Sequence, residues 1–223
     1  KINYQALSII ENHKQDPNIG WRINMNLGEL YLMTQDYTNA LAFLKKASQL
    51  IELGSGIGAA ATVGFKINIL ERIASLYDRQ NNFAESERFY LLALDKLSES
   101  ATKSNHAYIY GDLSDFYQKY EQYDKAIEFG KKAEQMWTEL RHPVGLSGAW
   151  ADLAKLYALT GQMETAIEYA QKALNIKNSI SQARQKAYFA LFKAYEAKQE
   201  WQKSLDNYQK YITDRDLREK QKN

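Results

Sequence analysis

The chain has 223 residues, 29 of them basic and 27 acidic, for a net charge of +2, with two prolines and no cysteine. That near-balance gives no electrostatic reason to expect a nucleic acid or an acidic membrane surface, so no nucleic-acid contact is expected. The missing cysteines exclude disulfides, thiolate metal sites and cysteine nucleophiles without fixing a compartment, and no run approaches the roughly 20 apolar residues that span a bilayer.

Taken in order, residues 1–15 read as the second helix of a truncated pair. The pattern is already under way at Lys1, so further sequence is expected before it, and no signal peptide is recognisable. Asp16 and Pro17 read as a helix start, as do His142 and Pro143, with proline at the first helical position. Five helix pairs follow at 17–53, 57–100, 101–141, 143–180 and 181–218, and a charged helical tail covers 213–223. Tyr31, Tyr77, Tyr117, Tyr157 and Tyr195 each close a first helix. Six residues later stands a large side chain: Tyr37, Phe83, Tyr123, Met163 or Trp201. Nine residues after the tyrosine stands a small one: Ala40, Ser86, Ala126, Ala166 or Ser204. Small residues let two helices approach closely. The copy at 147–173 turns at Gly161, which supplies a permissive backbone. Gly54, Gly56 and Gly58 lack the strand and flanking residues of a phosphate loop and read as a connection between pairs.

These residues resemble the tetratricopeptide repeat. Its first-helix pattern of a leucine-like residue, a small residue and tyrosine is matched by Leu27, Gly28 and Tyr31, by Ile73, Ala74 and Tyr77, by Leu113, Ser114 and Tyr117, and by Leu153, Ala154 and Tyr157. In the fifth copy, Leu191, Phe192 and Tyr195, phenylalanine replaces the small residue. The tyrosines are 46, 40, 40 and 38 residues apart, against about 34 in the family, so each helix is expected to be about one turn longer. Such elongated repeats are similar to those of bacterial membrane-bound sensor and regulator proteins. The resemblance implies an all-α fold: a right-handed superhelical array of antiparallel helix pairs, five full and one truncated, forming a single domain over 1–223.

In this family the first helices line a concave face, and their free positions point into it. Carried over, these are Arg22, Met25 and Glu29, then Asn68, Glu71, Arg72 and Ser75. The third pair gives Tyr108, Gly111, Asp112, Asp115 and Lys119; the fourth Gly148, Ala151, Asp152 and Lys155; the fifth Lys186, Phe189 and Lys193. The groove so drawn is acidic in the middle and basic toward its C-terminal end. Tyr108 and Phe189 serve as apolar anchors, while Gly111, Gly148 and Ala151 leave room for a ligand. Most other aromatics, Trp150 and Trp201 among them, fall at packing positions, and Phe65 stays open. The lysine and asparagine clamp of chaperone-binding members is replaced by Met25, Glu29, Glu71 and Ser75, which disfavours a co-chaperone role.

No nucleophile–base pair or phosphate loop stands out, and His13, His106 and His142 lack metal-ligand spacing, so no catalytic residue, cofactor or metal is expected. The expected function is non-catalytic binding of a protein or peptide, as the sensor region of a larger bacterial signalling or transcription-regulating protein. A stand-alone cytoplasmic scaffold or peptide-responsive regulator is the alternative. A homodimer and a membrane tether outside residues 1–223 stay open, and a periplasmic location is placed ahead of a cytoplasmic one.

Overall fold

Every tyrosine of the pattern lies near the end of a first helix, and the turn that follows it is the same turn five times. The residue four after each tyrosine is left-handed: Gln35 (φ 61°), Asn81 (55°), Glu121 (58°), Gly161 (82°) and Gln199 (60°). The next N–H then donates to the tyrosine carbonyl, from Asp36 to Tyr31 (2.9 Å), Asn82 to Tyr77 (2.9 Å), Gln122 to Tyr117 (2.9 Å), Gln162 to Tyr157 (2.8 Å) and Glu200 to Tyr195 (2.9 Å). This closure satisfies helix-terminal carbonyls and reverses the chain within three residues. Only the fourth pair spends a glycine on it. Asp36 and Asn82 also cap the helices that follow, accepting from the N–H groups of Asn39 and Glu85 at 3.2 Å.

The computed structural model describes residues 13, 16, 18–53, 59–97, 103–177 and 179–220. Most of the truncated helix expected at 1–15, Pro17, the connection at 54–58 and the last tail residues, 221–223, lie outside them. Among the described residues there are ten helices and no strand: α1 (Gly20–Met33), α2 (Tyr37–Leu53), α3 (Ala59–Arg79), α4 (Phe83–Leu97), α5 (Lys103–Lys119), α6 (Tyr123–Glu139), α7 (Pro143–Leu159), α8 (Met163–Leu174), α9 (Ser181–Ala197) and α10 (Trp201–Lys220). Consecutive helices pair in the manner of a tetratricopeptide-like solenoid. No described helix is long and apolar enough to cross a membrane. The first described helix begins at Gly20. Asp16 instead holds a preceding turn, its side chain accepting from the Asn18 N–H (2.9 Å) and its carbonyl from Gly20 (2.6 Å).

Packing density divides the chain into two compact units, one ending at Asn105 and one beginning at His106. The first unit is filled by large aliphatics, among them Leu44, Leu50, Ile51, Ile69, Ile73 and Leu76, with Trp21 against Phe65 (ring centroids 4.3 Å). Its helices close where Gly28 lies on Leu44: a Cβ there would stand 2.7 Å from Leu44 Cγ. The second unit is packed largely by alanine. Ala151, Ala154, Ala166, Ala170, Ala183, Ala187, Ala190 and Ala194 are all fully or almost fully buried. Short side chains bring the backbones of α7, α8 and α9 close together, exchanging side-chain volume for contact between helices.

Two further devices recur. Buried hydroxyls donate across a pair to a facing carbonyl: Ser86 to Ala74 (2.9 Å), Ser114 to Ala126 (2.8 Å) and Ser204 to Phe192 (3.1 Å). Each repeat tyrosine also packs its ring on the residue twelve positions later: Tyr31 on Phe43, Tyr77 on Phe89, Tyr117 on Phe129 and Tyr157 on Tyr169, with centroids 5.3–5.5 Å apart. In the fifth pair that position is Asn207, and the ring contact is absent. Trp201, expected in the core, is 63% exposed, and with Leu205 and Tyr208 it forms an apolar stripe on the outer side of α10. At the equivalent places in the fourth pair, Met163, Ile167 and Ala170 pack into the core that α9 completes; among the described residues no further first helix covers α10.

Candidate functional site

In the second unit the free faces of α5, α7 and α9 enclose a cavity of about 300 Å³. Helical spacing builds it. Tyr108, Gly111, Asp112 and Asp115 follow one another at i, i+3, i+4 and i+7 along α5, so they share a face. Gly148 and Asp152 are one turn apart on α7, as are Gln182 and Lys186 on α9. Gly111 and Gly148 open onto empty space, with nothing within 4 Å of where a Cβ would stand.

The apolar wall comes from the end of α6 and the start of α7. Trp137 is buried with its ring edge-on to Tyr108 (4.9 Å). Its indole lies flat against Gly145, where a Cβ would stand 2.5–2.7 Å from three ring atoms. Gly145 in turn donates its N–H to Nδ1 of His142 (2.9 Å), which caps α7 ahead of Pro143. Val144 and the half-exposed Ile180 extend the wall.

The opposite side is charged. Lys186 donates to Asp115 (3.2 Å) and to Asp152, so three first helices meet at one ammonium. Burial would push Lys186 down, but Asp152 and Asp115 together hold it well above the usual lysine range. Burial raises Asp152 to about 6 against the pull of Lys186, with Asp115 adding to the rise. Lys155, beside them, is lowered by burial and then by Lys186. Asp112 is accessible to water yet walled by protein on most sides. That loss of solvent, followed by the charge of Asp115, raises it to about 6.

Of the expected groove residues, the cavity brings together Tyr108, Gly111, Asp112, Asp115, Gly148, Asp152 and Lys186. Lys155 stands next to this group without lining the cavity. Phe189, expected as an anchor, packs on Phe192 and Tyr211 (centroids 5.7 and 5.8 Å) and is not part of the lining. Lys193 pairs with Glu196 (2.9 Å) on its own helix, and Lys119 lies over the ring of Tyr120. Ala151, expected to leave room for a ligand, is fully buried in the alanine core.

In the first unit Arg22 and Asn68 are exposed, while Met25, Glu71 and Ser75 are half-buried, Met25 against the core. Arg72 pairs with Glu29 and so links α1 to α3, and among the described residues its buried Nε has no hydrogen-bond partner. Sequence reasoning missed Trp137, His142, Val144, Ile180 and Gln182 as lining residues. The one available signal was the helix start at His142 and Pro143, which fixes the edge of the wall. Among the described residues no group of three histidines or carboxylates is arranged to hold a metal ion.

The sequence profile of the tetratricopeptide repeat matches residues 22–52 and 147–180. No curated protein sequence matches the chain significantly. Among solved structures, BtubC from P. vanneervenii is similar at 17% identity and a TM-score of 0.75, over 89% of this chain and 80% of its own. Aspartyl phosphate phosphatase F from Bacillus subtilis is similar at 17% identity and 0.74, over 94% of this chain and 54% of its own. The Rap conjugation gene regulator of plasmid pLS20, solved in complex with a Phr peptide, is similar at 14% identity and 0.67, over 92% of this chain and 55% of its own. The chain therefore spans about half the length of these last two, and at such identities the likeness is one of fold.

Proposed function

Taking the chain as an array of tetratricopeptide-type helix pairs, we propose that it is a non-catalytic module that binds a protein or peptide, received by the cavity among α5, α7 and α9. The observation that carries this reading is the open space over Gly111 and Gly148, bounded by an apolar wall on one side and fixed charges on the other. A volume of about 300 Å³ lies at the small end of ligand sites, which run to about 1,000 Å³. It suits one or two side chains of a peptide laid across the helices. The Rap regulator solved with its peptide supports the reading by sharing the fold. As regulators of about twice this length occur among the similar structures, the module is read as the sensor region of a larger bacterial regulator.

The test is selection of a random linear peptide library on the immobilised chain, with Gly148→Phe as the variant that fills the cavity. Enriched peptides should bind the variant at least about tenfold more weakly, the equivalent of losing one well-made contact, while its circular dichroism stays unchanged. Equal binding to both proteins would move the site elsewhere, and no enrichment at all would refute peptide recognition.

A further inference from the structure

The charges around the cavity do not balance, and the imbalance restricts what can enter. Its lining holds three carboxylates, Asp112, Asp115 and Asp152, against the single ammonium of Lys186. Adding Lys155, just outside the lining, still leaves one carboxylate in excess. Lys186 is committed to Asp115 and Asp152. Asp112 is not: among the described residues it makes neither an ion pair nor a hydrogen bond.

Three kinds of guest can be compared. An anion would face the excess carboxylate with no uncommitted cation in the lining to receive it. A wholly apolar guest would strip water from Asp112 and return no donor, which leaves a costly unpaired acceptor. A guest bearing a cation supplies what is missing, through a charge-assisted hydrogen bond. Tyr108 lies one helical turn before Asp112 on the same face and is 59% exposed, so a cation at Asp112 also stands beside an aromatic ring. An apolar group next to that cation would meet Trp137, Val144 and Ile180.

Resting on the reading of this cavity as a peptide site, we infer that it selects a peptide carrying a lysine or arginine side chain next to an apolar one, with Asp112 reading the cation. The probes are the library peptides that lose binding on Gly148→Phe. Lysine or arginine is expected to dominate one position, beside an apolar one. The leading peptide should bind Asp112→Asn about 10- to 100-fold more weakly. Replacing its basic residue with norleucine should cost as much on the wild-type chain, and nothing further on Asp112→Asn. The norleucine arm needs no altered protein, so it reads the same interaction independently of how the variant folds. Cavity-dependent peptides without a basic position, or undiminished binding to Asp112→Asn, would overturn the inference and leave the peptide site standing. The absence of any cavity-dependent peptide would remove both.

Discussion

Gly145 and Gly148 lie on the same helix, three residues apart, and adding one methyl group should act in opposite directions at the two. At Gly148 nothing stands within 4 Å of the new Cβ. Alanine there keeps only its helix-propensity advantage over glycine, about 1 kcal/mol. At Gly145 the same atom would stand 2.5, 2.7 and 2.7 Å from the indole of Trp137, where ordinary carbon contact begins at about 3.5 Å. The ring must therefore move by almost an ångström. It is rigid, 7% exposed, and held between Tyr108 and His142. Overpacking of this kind costs about 1–3 kcal/mol, which exceeds or cancels the propensity gain. In a chain of this size 1 kcal/mol moves the melting temperature by about 2–4 °C. Thermal unfolding followed by tryptophan fluorescence and circular dichroism should thus place Gly148→Ala above the wild type and Gly145→Ala below Gly148→Ala by several degrees. Two variants of equal stability, or the reverse order, would refute the packing of Trp137 against α7.

Gln199 is exposed and holds a left-handed backbone that glycine adopts freely. Gln199→Gly should raise stability by up to about 1 kcal/mol, since the relief of roughly 1–2 kcal/mol is offset in part by the greater freedom of unfolded glycine; urea midpoints measure it. Asp112 titrates higher in the folded chain, at about 6, than in the unfolded one, at about 3.9, so folding favours its protonated form. Its ionisation therefore removes stability as pH rises through 6, and none is lost below the unfolded value. Asp112→Asn should be more stable than the wild type at pH 8, by about 1 kcal/mol once solvent screening is allowed for, and no more stable at pH 3.5. A constant difference across that range would show that the carboxyl is not held where the cavity places it.

The fold was legible because its signal repeats: five tyrosines in register, each followed by a small residue at a fixed distance, have one compact helical solution. The turn was less legible. Gly161 announced it once, but Gln35, Asn81, Glu121 and Gln199 take the same left-handed backbone without glycine, held there by the bonds to the tyrosine carbonyls. The ring partner twelve residues after four of the five tyrosines stands in the sequence too, but it lies off the small-residue positions that mark where the helices cross. At the site, helical spacing along one helix puts Tyr108, Asp112 and Asp115 on one face, and all three line the cavity. It failed wherever the outcome depends on a neighbouring helix. Ala151 turned inward onto the alanines of α9, Phe189 found Tyr211, and Trp137 became a wall because Gly145 let it lie flat.

The ammonium of Lys186 reaches Asp152, 34 residues earlier, and Asp115, 71 residues earlier. Repeat arrays are held mainly by contacts between adjacent units, and such arrays bend at each joint almost independently. A bond that skips from α9 over α7 to α5 makes two joints move together, as a brace across two links stiffens a hinged rule. Lys186 thus adds to the alanine packing a coupling across two joints, and its side chain borders the cavity. A partner that drew Asp115 away from Lys186 would soften the array, and one that left the brace in place would be carried on a stiff frame.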